Sequence, residues 1–405
     1  MARFAALVER LRSSLWLVPA LFATGAFVLA ALSLSLDREL GGDGPVLVFG
    51  GTADGARDVL STIAQSMLTF TALVFSITML VLQLASSQLS PRVMRTFLRD
   101  RGNQIVLGLF VATFLFTLLV LRDIRSSDSG VEFVPGLSIS LAFVLLLASV
   151  AAFIYYIDHM AHAVRAPTVI ASIAAETRSA IDRLFPESLG AETEPAPADV
   201  PRREDFDSVI VARSSGVLVN VDEDGLIESL SESGVVAHLI PVVGDFVVDG
   251  QPLFRLSGSA RDGLADRLRA QLSLGNERTM QQDAAFGFRQ LVDVGLRALS
   301  PSTNDPSTAV HAIDRLHELL RKLVERAFPS EVRRDERHRP LIIVSRPVWD
   351  DYVRLAVEEL RVMGSGHVQV RRRLKAMLED LLAVASPARG HALRRELEAL
   401  DEAAE

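Results

Sequence analysis

Residues 59–91 read VLSTIAQSMLTFTALVFSITMLVLQLASSQLSP, a run without a single charge yet studded with Ser, Thr and Gln. At a rise of about 1.5 Å per residue it makes a helix of roughly 50 Å, longer than the ~30 Å hydrocarbon core of a bilayer. Such a helix spans a membrane and protrudes from it. At about 100° per residue, Ser61, Thr62, Gln65, Thr69, Ala72, Ser76, Met79, Gln83 and Ser87 fall within roughly 50° of one line. A polar stripe on a membrane helix either packs helices together or lines a wet path. Two glutamine amides are hard to satisfy against bare lipid, which favours water. The pore-lining candidates are therefore Thr62, Gln65, Thr69, Ser76, Gln83 and Ser87, while Thr71 and Thr78 on the opposite face suit packing.

Three more apolar runs flank this one. Residues 15–36 are longer than the ~7 to 15 residues of a signal-peptide core, so they read as a retained first span with Trp16 at the interface. The second span covers about 59–90, the third 105–121 and the fourth 134–157, with Tyr155 and Tyr156 closing the last as an aromatic belt. Arg3, Arg10 and Arg12 precede the first span, and Arg92, Arg95, Arg99 and Arg101 follow Pro91. The other two connections are acidic, with Asp37, Glu39, Asp43, Asp54 and Asp58 in one and Asp123, Asp128 and Glu132 in the other. The positive-inside rule puts the arginine side, and with it both termini, in the cytoplasm. Beyond this role in topology, the four arginines suit anionic lipid headgroups or the mouth of a pore.

Composition agrees with a chain that is part membrane and part soluble, at 405 residues, 49% hydrophobic and 23% charged. Through Ile157 there are 11 basic and 10 acidic residues, and after it 31 and 40. An acidic soluble half argues against a nucleic-acid partner, because phosphate binding needs a basic surface. Cysteine is absent, which excludes disulfides, thiolate nucleophiles and Cys-based metal sites. The only lysines are Lys322 and Lys375.

The fold class expected is mixed: a four-helix transmembrane domain, then a small β-barrel or sandwich and an α-helical cytoplasmic domain. The boundaries are 1–157 for the transmembrane domain, 158–204 for a helical exit and linker, 205–258 for the β domain and 259–405 for the helices. Between Phe206 and Leu256 short β-branched runs are punctuated by Gly, at 209–212, 217–221, 235–240, 246–248 and 253–256. The phrase Val243-Gly244-Asp245-Phe246-Val247, followed by Gly250-Gln251-Pro252-Leu253, resembles a hairpin half of a lipoyl- or biotinyl-carrier barrel. Those carriers need a lysine at a hairpin tip, and none stands before Lys322.

Beyond Ser259 the pattern is helical apart from an apolar strand candidate at 341–344. Asp305-Pro306 is an N-cap and first-turn pair, which makes 299–304 a tight link between two packed helices. Residues 371–405 read as a charged amphipathic hairpin broken at Ser386-Pro387, suited to a partner surface or self-association.

Several phrases together resemble a family of bacterial predicted membrane proteins known by a domain-of-unknown-function label. They are Val74-Phe75-Ser76-Ile77-Thr78, Ser86-Ser87-Gln88 leading to Pro91-Arg92, and Arg99-Asp100-Arg101-Gly102-Asn103-Gln104 before Leu107-Gly108. The soluble half adds Phe286-Gly287-Phe288-Arg289-Gln290-Leu291-Val292-Asp293, Arg297-Ala298-Leu299-Ser300-Pro301 and Asn304-Asp305-Pro306. The resemblance covers most of the chain and implies a bacterial inner membrane, with no catalytic residues to carry over.

Two further clusters have bland readings beside their functional ones. Asp158, His159 and His162 could sense pH or hold a metal where the fourth span ends, and equally are solvated interface residues. His311, Asp314 and Glu318 share a helix face with metal-ligand spacing, but nearby arginines suit a salt-bridged surface. No phosphate loop, nucleophile elbow or paired-carboxylate signature is present, so neither an enzyme nor a cofactor is expected. The expectation is an oligomeric inner-membrane channel or passive transport protein, in contact with lipid, whose second span lines the conduit. The alternative is a membrane-anchored scaffold whose cytoplasmic domain binds a partner protein.

Overall fold

The computed structural model describes residues 17–39, 52–88, 101–124, 133–163, 165–186, 206–231, 233–259, 263–334 and 339–402. The chain divides into two compact units, Met1–Thr168 and Val169–Glu405, each with its own apolar core.

The described residues of the first unit form four helices: α1 (Leu17–Glu39), α2 (Ala53–Gln88), α3 (Arg101–Asp123) and α4 (Gly136–Ala163). Each contains a stretch long and apolar enough to cross a membrane: Leu17–Glu39, Ala53–Val81, Gly102–Asp123 and Gly136–His162. α3 packs against the other three and buries Phe110, Phe116 and Val120 fully. A Cβ on its Gly108 would come within 3.0 Å of the Phe22 ring, so the glycine sets how closely α1 approaches.

Polar pins fix the bundle. Asp37, buried at the end of α1, accepts from the backbone N–H of Leu137 and Ser138, each at 2.9 Å, and from the Ser138 hydroxyl at 2.6 Å. It thereby caps the first turn of α4, where four N–H groups lack intrahelical acceptors. At the same end Arg38 pairs with Asp123 at 2.7 Å, and Arg57 donates to the Ile124 carbonyl at 3.0 Å. At the other end the Tyr156 hydroxyl donates to the Val74 carbonyl at 3.0 Å and lies 2.7 Å from the Thr78 hydroxyl. Tyr156 is thus a fully buried tie between α4 and α2, not part of an aromatic belt. Tyr155, one residue or about 100° away, faces outward and stacks on His159.

The second unit begins within the first turn of α5 (Ala166–Leu184), whose Thr177 is buried against Gly287. Then follow β1 (Ser208–Val211), β2 (Gly216–Val221), α6 (Glu223–Ser231), β3 (Ala237–Leu239), β4 (Phe246–Val247), β5 (Pro252–Leu256), α7 (Leu264–Ala270) and β6 (Leu272–Gly275). The chain continues as α8 (Ala284–Ala298), α9 (Pro306–Leu323), β7 (Val332–Arg334), β8 (Pro340–Val344), α10 (Trp349–Met363), α11 (Val368–Val384) and α12 (Pro387–Glu402).

The strands form two open sheets, ordered β1-β5-β3-β8-β7 and β4-β2-β6, and no closed barrel occurs among the described residues. Of the barrel-or-sandwich expectation the closed barrel is not borne out, and the pairing is not local. β3 pairs in parallel with β8, and β2 pairs with β6, both supplied from beyond residue 258. The carrier-like phrase is likewise not a hairpin: β4 joins β2 in one sheet, and β5 joins β1 and β3 in the other. Gly244 and Gly250, at φ +102° and +81°, turn the chain between the sheets. Both sheets share one core, with Leu218 and Val247 from the smaller packed among Ile210, Phe254 and Ile342 from the larger.

The helices build a second layer in which α8 packs on α9 and α10, and α11 and α12 cover α9 and α10. Asp305 caps α9 as its position before Pro306 implies, accepting from the Ser307 and Thr308 backbones at 3.1 Å. The tail hairpin turns its apolar faces inward through Leu374, Leu378, Leu381 and Leu393, all fully buried. Arg389 on α12 donates to the carbonyls of Leu323, Val324 and Arg326, closing the C-terminal end of α9.

Candidate functional site

α2 has two faces. Ala56, Leu60, Ile63, Met67, Val74 and Val81, at spacings of three, four and seven, are buried against the bundle. Nearly opposite, Thr62, Gln65, Thr69, Ala72, Ser76, Met79 and Gln83 are exposed and Ser61 half-exposed. The bundle's own packing therefore leaves the stripe free along its described length. The helix-packing reading, where it concerns helices of the same chain, does not hold for these residues. It holds for Thr78, which meets Tyr156.

The stripe side chains differ in what they need. Thr62 donates to the Asp58 carbonyl at 2.8 Å and Thr69 to the Gln65 carbonyl at 3.0 Å, so their hydroxyls are satisfied by their own helix. Among the described residues the Gln65 and Gln83 amides make no hydrogen bond. Depth separates the two. The Arg57–Ile124 contact marks one end of the bundle and the Thr78–Tyr156 contact the other. The 21 residues between them rise about 32 Å, close to the ~30 Å of a hydrocarbon core. Gln65 lies about 12 Å inside this interval, whereas Gln83 lies about 8 Å beyond it and past the candidate span ending at Val81.

The Ser87 side chain and Arg92, Arg95 and Arg99 lie outside the described residues, and Arg101 opens α3 without a described side chain. Asp158 and His162 are exposed, the imidazole Nδ1 lying 2.8 Å from the Asp158 carbonyl and 3.5 Å from its carboxylate. The helix face with metal-ligand spacing is consumed by cations: Asp314 pairs with Arg373 at 2.5 Å, and Glu318 with Arg178 and Arg315. His317 bridges Asp380 at 2.7 Å and Arg373 at 2.8 Å.

Sequence reasoning did not reach a cavity of about 110 Å³ in the second unit. It lies where the end of α5, the starts of α6 and α8, and the β8–α10 connection converge. Glu223 binds Arg333 at 2.6 Å and also Arg346, whose guanidinium burial pulls below its usual range. Asp283, almost fully buried, caps α8 through the Phe286 N–H and binds Arg278 at 2.7 Å. Burial nonetheless raises its carboxyl above the ordinary value, an effect that Arg278 only partly offsets. Asp283 directly before an apolar helical run is a cap signal the sequence did carry. The Arg346–Glu223 pair joins positions more than a hundred residues apart, and no local pattern announces it.

The motif around Gly287 now has a physical basis. Gly287 has no Cβ because Thr177 occupies that space, Phe288 is fully buried edge-on to Tyr352 at 5.2 Å, and Arg289 links Asp293 to Glu359.

Residues 12–380 match the family described as predicted membrane protein (DUF2254), and the chain belongs to it. An uncharacterized protein of Mycobacterium tuberculosis is 35% identical over 388 residues, which cover 94% of this chain and 73% of that protein. An uncharacterized protein of Mycobacterium bovis matches to the same extent. No solved structure matches the chain significantly.

Proposed function

We propose that this DUF2254 protein forms a closed oligomer in the bacterial inner membrane, in which α2 of each copy lines a conduit for passive transport. The observation that carries the reading is Gln65. It is exposed on the outside of the four-helix bundle at a depth where only hydrocarbon would surround a lone copy. An amide left without a partner there costs several kcal/mol, and neighbouring copies enclosing water remove that cost. Thr62, Thr69, Ala72 and Ser76 continue the same line with small or self-satisfied side chains.

Arginine-rich connections set both termini in the cytoplasm, and the acidic second unit raises the local cation concentration there. No catalysis enters this reading. The test is conductance of the purified protein in a planar bilayer across a salt and pH series. Gln65→Leu and Ser76→Leu should each lower it with the oligomer intact. Unchanged transport in both variants, with assembly preserved, refutes the conduit.

A second reading is a membrane-anchored scaffold, favoured by the independent core of residues 169–405. It requires that a soluble fragment fold and capture a defined protein. That fragment should start at Ala166 rather than Phe206, because Asp182 on α5 binds both Lys322 and Arg326.

A further inference from the structure

The cavity of the second unit has a polar inventory that is used up on one side only. Its acceptors are taken: Glu223 by Arg333 and Arg346, and Asp283 by Arg278 and the Phe286 N–H. Gln282 is held by the backbone of Val221, its carbonyl accepting from the Val221 N–H at 2.8 Å and its amide donating to the Val221 carbonyl at 3.0 Å. Ser345 lies 3.3 Å from His238.

Two donors remain. The Nε of Arg346 is buried with no hydrogen-bond partner, and the Tyr352 hydroxyl, on a residue only 3% exposed, makes none among the described residues. Buried polar groups without partners are uncommon and ask for an explanation. Phe185, Val243, Phe328 and Val344 make the rest of the wall largely apolar.

We propose that this cavity binds a small organic monoanion, a carboxylate on an apolar body, with Arg346 and Tyr352 donating to the carboxylate oxygens. Three features fix that chemistry. Unpartnered donors beside carboxylates already engaged by arginines call for an acceptor ligand. The guanidinium groups of Arg333 and Arg346 share one half-buried carboxylate, Glu223, while the further acid beside Arg346, Glu331, is exposed at the rim where solvent screens its charge. A volume of about 110 Å³ is of the order that admits a single aromatic ring in apolar protein cavities. A guanidinium receives a carboxylate in a planar, charge-assisted geometry, and a phenol adds a third donor. The inference is independent of the conduit reading, because every residue it uses lies in the second unit.

The experiment uses the full chain in lipid nanodiscs, with Trp16→Phe so that Trp349, next to Val348 of the cavity wall, is the only tryptophan. Benzoate and its neutral analogue benzyl alcohol are titrated while Trp349 fluorescence is followed. Benzoate should bind saturably and at least tenfold tighter than benzyl alcohol. Arg346→Gln should weaken benzoate tenfold or more, and Tyr352→Phe about threefold to tenfold, with circular dichroism unchanged. If Arg346→Gln unfolds, Tyr352→Phe and the cavity-filling Val243→Phe carry the test, and Val243→Phe should abolish binding. Absence of saturable benzoate binding overturns the proposal. So does equal affinity for benzyl alcohol, or benzoate affinity unmoved by Tyr352→Phe and Val243→Phe.

Discussion

A thiol placed at position 65 should meet water, and one at position 144 should not. The chain has no cysteine, so each introduced thiol is the only one present. Gln65 lies eight residues past Arg57 on α2, and Val144 lies eight residues past the start of α4, so both sit about 12 Å in from the same end of the bundle. Both are exposed, Val144 at 56%, but only Gln65 is on the stripe. Charged, membrane-impermeant methanethiosulfonate reagents attack the thiolate. Burial in hydrocarbon raises a thiol pKa by about 2 to 3 units or more, which cuts the thiolate fraction roughly 100- to 1000-fold. In liposomes Gln65→Cys should therefore be modified at least about 100 times faster than Val144→Cys. Met67→Cys, fully buried in the bundle, should react as slowly as Val144→Cys. Rates at 65 and 144 within about threefold of one another, in protein that is oligomeric, would refute a wet stripe.

Three other outcomes test the frame around that site. Asp37→Ala removes an acceptor of three hydrogen bonds and leaves buried N–H groups orphaned, at about 3 to 5 kcal/mol, so thermal unfolding should fall by roughly 10 °C. Asp37→Asn, which keeps part of the geometry, should fall by less, and an unmoved melting temperature in Asp37→Ala would dismiss the cap. Gly287→Ala drives a Cβ into Thr177 and should cost about 1 to 3 kcal/mol, partly recovered in the double variant with Thr177→Ala, as a double-mutant cycle will read. Asp305→Ala loses the α9 cap, about 0.5 to 2 kcal/mol. The Thr308 hydroxyl, then the Thr308 and Ser307 N–H groups, hold the Asp305 carboxyl below its ordinary value. Its contribution is therefore complete above the unfolded carboxylate range near pH 4 and disappears as pH falls through the lower folded value. The stability gap between wild type and Asp305→Ala, measured by denaturant titration, should be constant from pH 7 to about 5 and close below about 4.

What the sequence carried about this fold was whatever repeats locally. Uncharged runs long enough to cross a bilayer announce the four helices, and Asp305-Pro306 and Ser386-Pro387 announce a cap and a break, because each rests on neighbours within a few residues. The pattern also located the stripe, since a helix makes residues three and four apart share a face. It could not say which way that face turns, because orientation depends on which other helices cover α2. Tyr155 and Tyr156 show the same limit: two identical neighbours, one outward beside His159 and one inward on Val74, separated only by the helical twist. Contacts made at long range were not readable at all. Asp37 finds its donors a hundred residues away, β3 finds β8, and Glu223 finds Arg346, none through a residue type unusual for its place.

Gln65 alone also separates the conduit from its nearest rival, a dry seam between copies. In a seam the amides of facing copies pair with each other, and the small residues Ala72 and Ser76 let the helices close. In a conduit each amide is hydrated and the copies touch through the flanks of the stripe, where Leu73 and Phe75 are exposed. Gln65→Ser distinguishes the two, because serine is polar but too short to reach a partner across a seam, and its hydroxyl can bond back to its own helix as Thr69 does. A seam then loses its central hydrogen bonds, each worth about 0.6 to 2 kcal/mol, and the oligomer should dissociate at higher protein concentration than wild type. A conduit keeps its hydration and its outer contacts and gains width, so assembly should be unchanged and conductance equal or larger. Sedimentation in detergent, read beside bilayer currents from the same preparation, gives opposite signs for the two arrangements. Weaker assembly together with absent current in both proteins would assign Gln65 to the seam.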